Sequence, residues 1–214
     1  YRVHRGDDFR RIDLPLPEGD SISQIEFSSD GRTLAAVSSS GVNLIDLATG
    51  QRRQHHPTTC YSAVFGQHHQ QPALFCGTHI GIERLPFARD SQQLGPLTML
   101  HNGTFRSAQR YLAATPDGKS VAAIIDHQQV RVWHDDPSRD VRQIDEAITI
   151  QCDAPVSFVA ISSDGHWIAT STFHGNGVRI WNSRAGKLLR DVWPEAISAQ
   201  STFASDNRTL LIAE

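Results

Sequence analysis

Five of the eleven histidines fall within one short stretch, as His55-His56, His68-His69 and His79. Imidazoles in such number are zinc-ligand chemistry, provided that they converge with a further donor. Adjacent residues of a strand point to opposite faces, and both pairs lie in or beside turn-rich segments, so polar loop histidines are the expectation and no metal is assigned. Cys60, Cys76 and Cys152 are odd in number and follow no metal-ligand spacing, which leaves them as free thiols. A second constellation, Trp133-His134-Asp135-Asp136-Pro137, sets a histidine beside carboxylates as general acid–base work requires. Asp-Asp-Pro is also ordinary turn chemistry, and the stretch is read as a turn. His174-Gly-Asn-Gly177 contains G-x-G without the strand–turn–helix context of a dinucleotide motif, and no G-x-S-x-G nucleophile motif is present. None of these motifs assigns a catalytic, metal or cofactor site.

The elements that would position any site are set by a recurring signature. An apolar residue, two small residues and an acidic turn precede a run of β-formers in Phe27-Ser-Ser-Asp30-Gly31, Ala114-Thr-Pro-Asp117-Gly118, Ile161-Ser-Ser-Asp164-Gly165 and Phe203-Ala-Ser-Asp206-Asn207. The spacing corresponds to units of roughly 42 to 47 residues, the size of a four-stranded sheet repeated radially. The fold class expected is all-β, a β-propeller segment of four-stranded antiparallel blades. Residues 154–193 give the clearest unit: Val156–Ile161, Trp167–Thr172, Val178–Trp181 and Lys187–Val192 alternate or are rich in β-formers, and turn residues separate them. Residues 20–55 repeat it with Ile22–Phe27, Thr33–Val37, Val42–Ile45 and Gln51–His55, and residues 105–144 with Tyr111–Ala114, Ser120–Ile125, Val130–Trp133 and Asp140–Ile144. Residues 58–101 form a degraded copy, in which the loop Gly66–Gln71 replaces the acidic turn between Cys60–Phe65 and Pro72–Cys76, and Ile80–Leu85 follows. Tyr1–His4 and Phe9–Asp13 read as third and fourth strands, Ala196–Phe203 and Thr209–Ala213 as first and second.

One domain over 1–214 is therefore expected, with blade parts in 1–19, blades at about 20–57, 58–103, 104–151 and 152–194, and a half-blade at 195–214. An arc of a larger ring is preferred over a closed five-bladed ring, which Tyr1–Val3 pairing with Thr209–Ala213 would indicate. The chain has 214 residues, 39% of them hydrophobic, and a formal net charge of −3. That balance disfavours a nucleic-acid partner, which calls for a basic surface. The longest aliphatic run, Val121–Ile125, is too short to span a bilayer, so no membrane association is expected. The polar start, Tyr1-Arg-Val-His, carries no signal-peptide pattern, and a cytoplasmic location is expected.

The acidic turns and the third-strand endings Val130-Arg-Val-Trp133 and Val178-Arg-Ile-Trp181 make the chain resemble the WD40-repeat family from about residue 20 onward. The segment Ile168–Leu188 is similar to bacterial arrays, including those appended to Ser/Thr kinases and other signalling modules. Where that family often has Trp-Asp, this chain has Trp133-His134, Trp181-Asn182, Ile45-Asp46 and Leu85-Pro86. Of the positions that carry the family's buried histidine, only His56 matches. Packing is expected to rest on apolar burial of Trp133, Trp181, Ile45 and Phe27 rather than on a complete polar network.

Two sets of site residues follow from the propeller frame. Asp20, Asp153 and Glu195 precede the ends of their first strands by similar distances and could ring one channel mouth, attracting a cation or a basic peptide; solvated strand-start acids are the preferred reading. The loops on one face carry His79, Phe105, Arg106, Asp126, His127, Phe173, His174 and Trp193, with Ser39 and Ser40. Aromatic and arginine residues on loops are interface anchors; the alternative is a mixed polar surface with Phe173 and Trp193 tucked between blades. The resemblance implies a non-catalytic scaffold binding a protein or peptide partner through that face. The alternatives are an accessory or regulatory propeller of an enzyme such as a kinase or hydrolase, or a propeller enzyme with channel-mouth carboxylates.

Overall fold

The computed structural model describes residues 12–14, 16–102, 112–135, 147–173, 175 and 177–213, and every regular element among them is a β-strand. Strands β1 (Ile22–Phe27), β2 (Thr33–Ser38), β3 (Gly41–Asp46) and β4 (Arg52–His56) form a first sheet. A second contains β5 (Cys60–His68), β6 (Gln71–Thr78), β7 (Gly81–Ala88), β8 (Gln93–Leu94) and β9 (Thr98–Asn102). A third contains β10 (Leu112–Ala114), β11 (Ser120–Asp126), β12 (Gln129–His134) and β13 (Ile148–Gln151), and a fourth β14 (Phe158–Ile161), β15 (Trp167–Ser171), β16 (Val178–Asn182) and β17 (Leu188–Trp193). Strands β18 (Gln200–Phe203) and β19 (Leu210–Ala213) make a two-stranded fifth. Pairing is antiparallel throughout, between chain neighbours except in the second sheet. There the long β7 pairs at its start with β9 and at its end with β8.

The recurring signature has one physical basis. The Ser28 hydroxyl donates to Asp30 Oδ1 (2.6 Å) and accepts the Thr33 N–H (3.0 Å), while the Arg32 N–H donates to the same carboxylate oxygen (3.1 Å). Thr115, Asp117, Lys119 and Ser120 repeat these bonds, as do Ser162, Asp164, His166 and Trp167. At the fifth sheet Ala204 has no hydroxyl, and Asp206 instead accepts the Arg208 and Thr209 N–H groups and the Thr209 hydroxyl. The turns between third and fourth strands use the same device: Asp46 accepts from Thr49 N–H and from the Arg53 guanidinium, and Asn182 accepts from the N–H groups of Arg184 and Ala185. An Asx side chain satisfying local N–H groups is what makes these residues turn-formers.

These bonds predict an acid limb of stability. The Arg53 guanidinium brings the Asp46 carboxyl down to about 2 from its usual 3.8, and the Thr209 hydroxyl does the same for Asp206. A carboxyl depressed in the folded chain binds fewer protons there than in the unfolded chain. Its contribution is complete above pH 3.8 and is lost as pH falls through about 2. Melting temperature should thus fall through that window, with Asp46→Asn flattening the fall there.

Several boundaries differ from the sequence expectation. The expected loop Gly66–Gln71 is mostly strand: β5 runs to His68 and β6 begins at Gln71, leaving a two-residue turn in which His69 and Gln70 have φ of 51° and 60°. Positive φ at both central residues is the tight hairpin turn whose twist matches the strands, so the acidic turn is replaced by a shorter connection and longer strands. The fourth strand of the third sheet is Ile148–Gln151, pairing with β12 through Val130↔Ile150; the expected Asp140–Ile144 lies outside the described residues. Tyr1–His4, and with it the proposed pairing to Thr209–Ala213, also lies outside them.

Apolar clusters sit between successive sheets. Val37, Leu44, Phe65, Leu74 and Leu85 join the first two sheets; Phe75, Ile82, Val121, Trp133, Ile168 and Trp181 run through the second, third and fourth; Val178, Ala196 and Ala199, with Trp193, join the fourth and fifth. Ile45, Trp133 and Trp181 are buried as expected, but Phe27 is 57% exposed, because no described sheet covers that end of β1. The Trp181 Nε1–H donates to Thr170 Oγ1 (2.9 Å). Glutamine side chains add inter-sheet ties that mimic strand pairing. Gln24 donates to the Ala63 carbonyl (2.9 Å) and accepts the Ala63 N–H (3.2 Å); Gln54 does the same with Leu94 at 3.2 and 2.7 Å.

Candidate functional site

The first strands of all five sheets line one cavity of about 230 Å3. Strand β1 contributes Gln24 and Glu26, β5 Val64, β10 Leu112 to Ala114, β14 Phe158 to Ile161, and β18 Gln200 to Thr202. The walls are apolar or small on β10 and β14 and carry amide, hydroxyl and carboxylate groups on β1 and β18. Among the described residues no Lys or Arg lines the cavity.

The turns between second and third strands emerge at one end of the sheets, and the one after β15 reaches the cavity wall. Phe173 follows β15, is 43% exposed, and packs edge-on against Phe158 of the cavity wall, with ring centroids 4.6 Å apart. The Phe173 N–H donates to Ser157 Oγ at 3.3 Å, which holds the base of the turn. An aromatic ring held this way presents apolar area to a partner at little entropic cost.

The expected loop-face residues divide. His79, Asp126, His127 and Phe173 are exposed in these turns, Asp126 accepting the Gln128 N–H at 2.7 Å. Trp193 is not an exposed anchor: it ends β17 half-buried against the Val178, Ala196 and Ala199 cluster. Phe105, Arg106 and His174 lie outside the described residues.

The three acids expected at a channel mouth do not line the cavity. Asp20 accepts from the Ser39 hydroxyl (2.7 Å) and the Ser39 N–H (3.2 Å), bonds that hold its carboxyl well below the usual range and fasten the β2–β3 turn to the segment entering β1. Asp153 pairs with Arg179, which also reaches Asp191 at 3.2 Å. Glu195 is exposed. Each acid is occupied locally or faces water because strand-start spacing fixes height along a sheet but not the direction of the side chain.

The clustered histidines have separate surroundings. His55 Nδ1 lies 3.2 Å from Asn43 Oδ1, His68 contacts Arg84 and stacks edge-on against His69, and His79 is exposed. Among the described residues no group of three or more His, Cys, Asp or Glu side chains converges as a metal set. All three cysteines are buried free thiols; burial pushes Cys152 up to about 12. Sequence reasoning missed Gln24, Glu26, Gln200 and Thr202 as cavity residues. Their signal was the polar side chains Gln24 and Glu26 on β1 and Gln200, Ser201 and Thr202 on β18, where β10 and β14 are apolar.

The described fold is thus a run of antiparallel β-sheets whose first strands share one cavity. No family model and no curated protein matches the chain. Among solved structures it is similar to a chain of the Kuenenia stuttgartiensis hydrazine synthase, with a TM-score of 0.67 at 14% identity. The match covers 89% of this chain and 55% of that one, so this chain spans about half of its length.

Proposed function

We propose that the chain is an arc of a WD40-like β-propeller that serves as a non-catalytic scaffold, binding a protein or peptide partner across the loop face at the mouth of the central cavity. The observation that carries this reading is Phe173, exposed at the rim and braced on Phe158 of the cavity wall. Five successive sheets contributing their first strands to one cavity support the propeller arrangement. A cavity lined by Glu26, glutamines and hydroxyl groups, with no Lys or Arg among its described lining residues, suits neutral or basic peptide groups better than phosphates.

Phe173→Ala is the test. Peptides are selected by display on the chain, and their affinities are measured by calorimetry for both chains. Selected peptides should bind the substituted chain at least about tenfold more weakly, as for a central aromatic anchor. Leu188→Ala, on exposed β17, should leave them unchanged. Peptides that bind both chains equally would sink the proposal.

A further inference from the structure

Two exposed apolar side chains adjoin where the fourth sheet meets the fifth. Phe173, in the β15–β16 turn, is 43% exposed, and Ile197, in the connection from β17 to β18, is 70% exposed. Three backbone bonds lay these two segments side by side. The Gly175 N–H donates to the Ile197 carbonyl (2.7 Å), the Gly177 N–H to the Ala196 carbonyl (3.3 Å) and the Ala199 N–H to the Thr172 carbonyl (2.9 Å). The backbone under both side chains is therefore held, and the Phe158 ring backs Phe173 from the cavity side. A lone exposed apolar residue is ordinary on a protein surface. Two that adjoin on hydrogen-bonded backbone offer a partner contact area with little ordering cost.

The neighbouring segments set the charge around this patch. The Val156 N–H donates to the His127 carbonyl (2.7 Å) and the Cys152 N–H to the Gln128 carbonyl (2.8 Å), which ties the β11–β12 turn to the connection from β13 to β14. That connection reaches the fourth sheet through the pair of Asp153 with Arg179 and through Ser157, whose Oγ accepts the Phe173 N–H. The continuous rim so formed carries Asp126, Asp153 and Glu195, all exposed. Among its described residues Arg179 is the only Lys or Arg, and it is shared between Asp153 and Asp191. The described rim is thus net negative beside its apolar patch, and a field of that sign favours cationic groups.

We propose that an apolar side chain of the partner packs on Phe173 and Ile197, and that Lys or Arg residues next to it in the partner's chain are drawn to the acids of the rim. Such a partner presupposes the loop-face reading and narrows it to one class of segment, an apolar residue with basic neighbours.

Amide NMR titration with three blocked pentapeptides at low salt tests it. Gly-Arg-Leu-Arg-Gly should give saturable shifts at Phe173, Gly175 and Ile197. Gly-Glu-Leu-Glu-Gly should bind at least about fivefold more weakly. Gly-Arg-Gly-Arg-Gly, which keeps the charge without the apolar side chain, should give no saturable shifts at these residues. Ile197 is mostly exposed, so Ile197→Ser should fold, and it should bind Gly-Arg-Leu-Arg-Gly at least about fivefold more weakly. Absence of saturable shifts with Gly-Arg-Leu-Arg-Gly overturns the proposal. Equal binding of either other peptide, or equal binding by the Ile197→Ser chain, also overturns it. Failure of the loop-face reading has a different signature, equal binding of display-selected peptides to the chain and to Phe173→Ala. Selected peptides that need Phe173 but neither Ile197 nor basic residues of their own leave the loop face standing and overturn the narrower partner class.

Discussion

Gly81→Ala should destabilise the chain by about 4 kcal/mol or more, among the largest losses a single methyl group can cause. Gly81 opens β7 at φ 145°, a conformation that a side chain rarely adopts, and its Cβ would lie 1.9 Å from the His101 carbonyl oxygen and 3.0 Å from the His101 carbonyl carbon. Both contacts are backbone, on the strand paired to Gly81 through Asn102, so no side chain can swing aside. Relief requires β9 to leave β7. The same arrangement recurs at Gly41, at φ 137°, where a Cβ would meet the His56 carbonyl oxygen at 2.1 Å. The turn itself does not demand glycine. In the third sheet Gln129 holds the corresponding place and pairs with Gln151 without a positive φ. Glycine is needed where the fourth strand crowds the start of the third. Gly31→Ala is the control: its φ of 66° is strained but nothing lies within 4 Å, and about 1 kcal/mol is expected. At 2–4 °C per kcal/mol for a chain of this size, Gly81→Ala should lower Tm by roughly 8–16 °C. A loss equal to that of Gly31→Ala would show that β9 yields freely.

What the sequence made legible was the local chemistry. Asp30, Asp117, Asp164 and Asp206 announce their turns because the bonds that form them close within five residues. Strands flanking those turns alternate as they should, and Ile22–Phe27 matches its expected limits. Legibility failed where the partner is remote. The short β8 is held by the Gln54 amide, 40 residues earlier in the chain, and Gln93-Leu94 alone gives no sign of a strand. Phe27 reads as core from its own strand, yet its exposure depends on what covers the outer side of the first sheet. Asp135 reads as a turn residue, and only the Gln70 N–H from another sheet reveals its buried, half-satisfied carboxylate. The acids Asp20, Asp153 and Glu195 share a spacing but not a direction, so periodicity placed them at one height and could not aim them.

Phe75→Ala should cost about 3–5 kcal/mol, the loss expected when a large buried side chain leaves a cavity that the backbone cannot close. Phe75 is 1% exposed on β6 and belongs to the cluster that runs through the second, third and fourth sheets. Its ring lies over Gly66: a Cβ there would meet Phe75 Cε2 and Val121 Cγ2, each at 2.9 Å. The ring thus fills the gap between β5 and the third sheet that the missing side chain of Gly66 leaves open. Complementarity of this kind predicts coupling, not only loss. Gly66→Ala alone should destabilise by overpacking, about 1–3 kcal/mol, because the ring and Val121 must both move. In the Phe75→Ala background the same methyl group enters vacated space, and Val121 has room to turn. The double variant should therefore be more stable than the sum of the single losses implies, by about 1 kcal/mol or more in a denaturant double-mutant cycle. Strict additivity would mean that Phe75 and Gly66 do not share the gap, and that the second and third sheets are joined by the remaining apolar contacts of the cluster without them.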